Sequence, residues 1–279
     1  MSSILFGLSS ALSWGAADFT GGLVTRKTGA LWAVLLGETV GLLLLVPAAV
    51  AAGEPIPNLL SWLQAALAGA LGTLGLLLLY HALATGTMSI AGPVSALMTA
   101  VIPVVFGSFS EGFPGPLTFL GFAFALTAVW LISQSKDGVK DFRGHLSSLR
   151  LPLLAGVGFG CYFVLIHSAA SNSTWWPMVT SRAAGWIVIG TFILARRASL
   201  TGTRGVWPLM VINGILDVGG NGFYILAGHH GRLDISAVIS SLYPGATVLL
   251  AWLVLRERLS RTQWLGIAAA LAAIALLAI

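Results

Sequence analysis

Residues 224–227 read Tyr-Ile-Leu-Ala, followed by an apolar run with a proline at 244, an acidic residue at 257 and Trp-Leu-Gly-Ile-Ala-Ala-Ala-Leu at 264–271. Residues 80–83 read Tyr-His-Ala-Leu, followed by an apolar run with a proline at 103, an acidic residue at 111 and Phe-Leu-Gly-Phe-Ala-Phe-Ala-Leu at 119–126. The segments 60–133 and 207–279 therefore carry the same features in the same order. A repeated membrane unit is typical of transporters, which bind their substrate between the copies.

The composition is that of a chain solvated by lipid. Hydrophobic residues make up 57% of its 279 residues and charged residues 8%, whereas about a quarter of the residues of a soluble domain are charged. Apolar runs of about twenty residues can cross a bilayer as helices, and their continuous pattern favours helices over strands. The sequence predicts ten transmembrane helices, at about 3–24, 30–52, 60–84, 89–109, 115–133, 151–171, 175–196, 206–228, 234–255 and 261–279.

A polar linker divides these runs into two halves. The longest polar stretch, 134–150, carries Lys136, Lys140, Arg143 and Arg150. It separates residues 1–133 from residues 151–279, each with five predicted helices. Because the first half crosses the membrane an odd number of times, a homologous second half enters the membrane from the opposite side. The sequence therefore predicts an all-α inverted repeat around a central cavity, with a pseudo-two-fold axis in the membrane plane.

Basic residues predict the orientation. Loops 25–29, 134–150, 197–205 and 256–261, together with Arg196, hold twelve of the fourteen Lys and Arg residues. The positive-inside rule makes that side cytoplasmic and places both termini outside, in a bacterial-type inner (plasma) membrane. Since these residues lie in short loops between helices, the net charge of +5 indicates topology and not nucleic-acid binding.

Motifs of soluble enzymes are absent from the sequence. It contains no H-E-x-x-H, G-x-S-x-G or P-loop motif, and Cys161 is its single cysteine, so metal hydrolysis, acyl transfer and ATP coupling have no support. The five histidines do not cluster along the chain. We therefore expect no enzymatic activity, no metal site and no cofactor.

Polar residues at helical spacing form stripes inside the apolar runs. In the run 206–228, Asn213, Asp217, Asn221 and Tyr224 fall on one helix face. Because a charged stripe facing lipid is costly, we interpret this face as the wall of a cavity. Further stripes join Trp14 to Asp18 and Ser240 to Tyr243, for which helix–helix packing is the alternative explanation.

Three prolines lie inside predicted helices, namely Pro93, Pro103 and Pro244. A proline removes a backbone hydrogen bond and frees a carbonyl, which is tolerated at membrane depth where it lines a cavity. These residues are candidate gating points, and a simple kink is the alternative.

Two embedded charges occupy matching positions of the two halves. Glu38 follows Gly37 in the second run, and Arg182 follows Ser181 in the seventh. We favour a structural ion pair or tether for both. The alternative is that Glu38 carries protons or that Arg182 binds a substrate carboxylate.

These features resemble the EamA-type members of the drug/metabolite transporter superfamily. The sharpest match runs from Ser240-Ser-Leu-Tyr-Pro244 through Leu255-Arg-Glu-Arg-Leu259 to Gln263-Trp-Leu-Gly266. The first half agrees at Trp14-Gly15, 80–83 and Pro103, but Glu111 follows Pro103 by eight residues where Glu257 follows Pro244 by thirteen. Within the superfamily, the chain resembles the bacterial exporters of aromatic amino acids.

The resemblance implies a central cavity among helices 1, 3, 4, 6, 8 and 9, peripheral helices 5 and 10, and alternating access without ATP. The leading hypothesis is a secondary transporter that exports amino acids or similar small amphipathic metabolites, with the lipid bilayer as its surroundings and protons as a candidate coupling ion. Multidrug or quaternary-amine export is the alternative in the same class, and a passive channel in another. The candidate substrate-binding residues are Trp14, Asp18, Tyr80, His81, Met98, Tyr162, Asp217, Asn221, Tyr224, Ser240 and Tyr243.

Cysteine accessibility tests the predicted orientation. With Cys161 replaced by serine, an impermeant thiol reagent applied outside intact cells should label Ser2→Cys and spare Ser135→Cys, because the linker lies on the basic side. Labelling of Ser135→Cys from outside would contradict the orientation.

Overall fold

The computed structural model describes residues 2–85, 88–132, 150–199, 205–256 and 259–278, without the side chains of 80–85 and 88–93. Eleven helices and no strands occur within these ranges. They are α1 Ser2–Thr28, α2 Ala30–Ala52, α3 Leu59–Thr85, α4 Met88–Ser110, α5 Pro116–Ile132, α6 Arg150–Ala169, α7 Trp175–Arg196, α8 Trp207–His229, α9 Leu233–Ser240, α10 Tyr243–Leu255 and α11 Arg261–Leu277. Most of the predicted linker 134–150 lies outside the described residues.

Six described segments are long and apolar enough to cross a bilayer. Three shorter apolar helices are Val94–Ser110, Pro116–Ile132 and Arg261–Leu277. The six longer segments are Ala30–Ala52, Leu59–Leu79, Arg150–Ala169, Trp175–Arg196, Trp207–His229 and Leu233–Leu255.

The predicted continuous helix at 234–255 is wrong, because that segment consists of two helices. α9 ends at Ser240 and α10 begins at Tyr243, with Pro244 in the first turn of α10. Proline has no N–H to donate and its ring clashes with the carbonyl four residues earlier, here that of Ser240. The first turn of a new helix tolerates proline because its N–H groups have no intrahelical partner. Pro103, in contrast, lies inside a continuous α4.

Helices of the two halves pack mainly on each other. α1 packs on α8 and α10, α3 on α6 and α7, α2 on α7, and α4 on α6 and α9. α5 and α11 pair at the edge of the bundle. Large apolar side chains such as Leu43, Ile187 and Leu253 are exposed on the surface, where a bilayer would solvate them.

Glycines bring two of these interfaces into backbone contact. A Cβ on Gly69 of α3 would lie 2.6 Å from the carbonyl carbon of Ser181 in α7. A Cβ on Gly15 of α1 would lie 2.6 Å from the backbone oxygen of Tyr243 in α10, and Thr247 donates a hydrogen bond to the Gly15 oxygen at 3.0 Å. Small residues permit such close approach between membrane helices. The interfaces position Arg182 and Tyr243 beside the centre of the bundle.

The two ends of the bundle differ in charge. The basic end carries Arg26, Lys27, Arg196 and Arg197, where apolar clusters join α1 to α8 and α2 to α7. The opposite end contains the loops 53–58, 111–115, 170–174 and 230–232. Several hydrogen bonds close that end, including one of 3.2 Å between the hydroxyls of Ser3 in α1 and Ser236 in α9.

Candidate functional site

A central cavity of about 720 Å³ lies in the half of the bundle nearer the basic end. It extends from Tyr162 and Asn221, at mid-helix, to Thr25 and Ala30, beside the loop between α1 and α2. Residues of α1, α2, α3, α4, α6, α7, α8 and α10 line it. The helix set implied by the family resemblance is therefore incomplete, because α2 and α7 also contribute.

Arg182 of α7 is held between two carboxylates in the wall of this cavity. Its Nη1 donates to Glu38 Oε2 of α2 at 3.1 Å, and its Nη2 donates to Asp217 Oδ2 of α8. The side chains of Arg182 and Glu38 are each only 12% exposed. Of the two structural roles favoured for Glu38 and Arg182, an ion pair or a tether, the structure has an ion pair between them, and Asp217 completes a three-residue cluster.

Asn221 connects this cluster to α6. Its Nδ2 donates to the backbone oxygen of Asp217 at 2.7 Å, and its Oδ1 accepts a hydrogen bond from the Tyr162 hydroxyl. Asn213 donates to the Ala17 oxygen at 2.6 Å and so ties α8 to α1. The predicted stripe of Asn213, Asp217 and Asn221 therefore faces the cavity, and its amides also join three helices.

Asp18 lines the cavity from α1 with an exposed side chain. Among the described residues, no side chain or backbone group hydrogen bonds or forms an ion pair with its carboxylate. Asp217 acts on it electrostatically with the same sign of charge. Asp18 is thus a carboxyl group without a described partner, which a cation entering the cavity can reach.

Aromatic rings also contribute to the wall of the cavity. The rings of Trp14 and Phe163 stack with centroids 5.3 Å apart and planes 10° apart, and both residues line the cavity. Phe159 and Tyr243 also line it. These rings add apolar surface to a cavity that also contains the Asp18 carboxyl group, a combination that suits an amphipathic cation.

Two predicted cavity residues lie elsewhere. Tyr224 is 1% exposed, stacks on Phe163 at 4.5 Å and donates a hydrogen bond of 3.0 Å to the Phe163 backbone oxygen. Ser240 is fully buried, and its hydroxyl has no hydrogen-bond partner within the described residues. Placing either residue in the cavity wall was wrong. Helical spacing identifies the face on which a residue lies but not its depth, and both lie beyond the closed end of the cavity.

The remaining predicted site residues divide into those whose side chains the structure describes and those whose side chains it does not. Placing Met98 in the cavity wall was also wrong, because it is half-buried against Gly156 of α6, and its neighbour Thr99 is the described α4 residue that lines the cavity. Pro103 is buried within α4, while Pro244 lies next to the cavity residue Tyr243. The second group is Tyr80, His81 and Pro93, whose side chains lie outside the described residues.

Arg182 and Glu38 are the cavity residues that sequence reasoning undervalued. Their matching positions across the repeat were the available signal, but that pattern favoured a structural role and did not include Asp217. Thr73 and Ser181 also line the cavity, and neither was among the candidate substrate-binding residues. No group of three His, Cys, Asp or Glu side chains within the described ranges is placed to hold a metal ion.

The sequence profile of the EamA-like transporter family matches residues 1–134 and 147–279. The chain belongs to this family, whose members are membrane transporters built from two repeats. A solved crystal structure superposes with a TM-score of 0.84 over 100% of this chain and 99% of that one, at 18% sequence identity. At that identity the likeness shows the fold alone. No match is found among curated proteins.

Proposed function

We propose that the chain is a secondary active transporter that exports small amphipathic metabolites carrying an ammonium group, amino acids foremost, by alternating access. The supporting observation is a cavity that opens toward one end and whose wall contains both Asp18, which has no described partner, and several aromatic residues. Beyond the cavity, the bundle is closed by packed residues such as Tyr224, Ile225 and Ala237. A passive channel is disfavoured because this layer interrupts the path.

The membrane arrangement is part of the same proposal. Ten spans form two inverted five-span repeats, 1–133 and 151–279, joined by the linker 134–150, in a bacterial inner membrane with both termini outside. In that orientation the cavity faces the cytoplasm, which is the side where an exporter loads its substrate.

The cavity contains a complementary group for each part of an amino acid. Its ammonium would bind Asp18, and its side chain would lie against Trp14 and Phe163. Its carboxylate would bind Arg182, since guanidinium and carboxylate form strong charge-assisted hydrogen bonds. Arg182 already binds two carboxylates, so one of them has to release it.

The substrate carboxylate would displace Asp217 from Nη2 of Arg182, while Glu38 would keep Arg182 in position from α2. The displaced Asp217, as a carboxylate, could then bind the substrate ammonium. Protonation of Asp217 on the outer side would weaken that binding and release the substrate, so that a proton is exchanged for substrate. Asp18 is the second candidate for this role.

Export of quaternary amines or cationic drugs is the second candidate function. The described charged groups in the cavity wall are three carboxylates, Asp18, Glu38 and Asp217, and one guanidinium, Arg182. This surplus of negative charge would favour a cation without a carboxylate. The two functions differ in whether the substrate carboxylate is required.

Substrate analogues separate these functions in proteoliposomes. For amino-acid transport, labelled phenylalanine should be taken up above protein-free vesicles, whereas N-acetylphenylalanine and phenylalaninamide should compete poorly because each lacks one of the two charged groups. Asp18→Asn should lower uptake by about tenfold or more, since a hydrogen bond to a charged group contributes roughly 1.5–3 kcal/mol.

Two other outcomes would contradict amino-acid transport. If phenylalaninamide and tetraethylammonium are taken up and phenylalanine is not, the chain transports cations. If no probe from a panel of amino acids and quaternary amines is taken up above the control vesicles, the transport proposal is wrong for both classes.

Asp217→Asn tests proton coupling. This variant keeps the shape of the side chain but cannot exchange a proton, so its uptake should lose the response to an imposed pH gradient. Wild-type protein measured in parallel supplies the gradient response. An Asp217→Asn variant with a normal rate, pH profile and gradient response would show that Asp217 has a structural role.

A further inference from the structure

A second pocket of about 390 Å³ lies at the opposite end of the bundle. The ends of α4, α6 and α8 and the start of α9 form it. We call it the opposite-end pocket, and its lining residues are Phe106, Ser110, Glu111, His167, Ser168, Ser171, Gly228, His229 and Leu233.

The opposite-end pocket and the central cavity follow each other along the same helices. On α6, Phe163 lines the central cavity and His167, one turn further, lines the opposite-end pocket. On α8, Asn221 lines the first and Gly228 the second. The stacked rings of Phe163 and Tyr224, which are 5% and 1% exposed, lie between these positions. A substrate that passes this layer would next meet the opposite-end pocket.

Glu111 gives the opposite-end pocket an anionic group with unused binding capacity. Its two carboxylate oxygens share a single N–H, that of Leu233, at 3.2 Å each. A carboxylate offers about four acceptor sites, and the Glu111 side chain is exposed. Among the described residues, two histidines but no Lys or Arg line this pocket, and Glu111 is the carboxylate there that a cation could bind.

The neighbouring cation, Arg232, is paired with other groups. Its guanidinium pairs with the buried Asp234 at 2.8 Å and donates to the backbone oxygens of Glu111 at 3.1 Å and Gly112 at 2.6 Å. The hydrogen bonds that Arg232 donates to the Asp234 carboxylate raise the pKa of Arg232, so the guanidinium remains charged and paired. Arg232 therefore holds α4 against α9. It also acts on the Glu111 carboxylate through its charge, but it does not pair with it directly.

We propose that the opposite-end pocket is an exit site for the ammonium group of the exported substrate, with Glu111 as the group that binds it. The inference rests on the proposed transport function and adds a second binding site along the path of the substrate. Because Leu233 N–H is the single described donor to the Glu111 carboxylate, an arriving ammonium would bind the remaining acceptor sites, beside the start of α9.

Protection of a thiol in the opposite-end pocket tests this site. Ser171→Cys in a Cys161→Ser background places a thiol in the pocket wall, and maleimide modification is timed on the purified full chain in detergent. Phenylalaninamide, a cation, should slow modification several-fold, whereas the neutral N-acetylphenylalaninamide should not. Glu111→Gln should raise the concentration for half-protection by about tenfold or more, and Glu111→Asp, which keeps the charge, should retain part of the protection.

Matched variants locate the protecting site. Glu54 also caps a helix at this end, accepting from Ser173 Oγ at 2.8 Å and from the N–H groups of Thr174 at 2.8 Å and Trp175 at 2.9 Å, but it does not line the pocket. Protection should therefore survive Glu54→Gln, and also Asp18→Asn in the central cavity. No protection by the cation, or protection lost with Asp18→Asn and kept with Glu111→Gln, would overturn the exit site.

Transport measured on the same preparations separates this inference from the transport proposal. If the protein transports substrate but the cation does not protect the thiol, the exit site is wrong and the proposed transport function is unaffected. If protection depends on Glu111 but the protein transports none of the probes, the pocket binds cations and is not an exit site.

Discussion

The need to neutralise Arg182 inside an apolar bundle organises the central cavity. A guanidinium at membrane depth is costly unless it is paired and hydrogen bonded. Here its partners come from α2 in the first half and α8 in the second, while Arg182 itself is on α7. The cluster therefore joins three helices across the two halves. It also leaves Asp18, on the other wall, as a carboxylate without a described partner.

The charge cluster and the helix interfaces reinforce each other. Gly69 allows the α3 backbone to touch α7 at Ser181, the residue before Arg182, and Gly15 does the same between α1 and α10 beside Tyr243. These contacts fix the backbone positions from which the charged and aromatic side chains reach the cavity. At the opposite end, Glu54 and Glu111 cap α7 and α9, so the closed end is held by polar contacts that can exchange with other hydrogen-bonding groups.

Sequence patterns predicted the helices well because lipid solvation leaves a strong, continuous apolar signal. They also identified the face of α8 that carries Asp217 and Asn221, since a stripe at helical spacing has one orientation. They failed on depth, as Tyr224 and Ser240 show, because periodicity does not locate the closed end of a cavity. They also failed where partners are distant in sequence: nothing local indicated that Arg182 binds Asp217 as well as Glu38. The break before Pro244 was signalled by the proline, but its effect depends on whether the chain restarts a helix there.

The most direct test of this account is the stability of variants that remove these charges, measured by unfolding the purified protein in detergent. Arg182→Met leaves Glu38 and Asp217 without their cation, and removing one side of a buried ion pair costs roughly 3–5 kcal/mol. The triple variant with Glu38→Gln and Asp217→Asn leaves no uncompensated charge in the cluster and should recover most of that loss. If Arg182→Met alone unfolds like the wild type, or if the triple variant is no more stable than the single one, the cluster does not hold the cavity together.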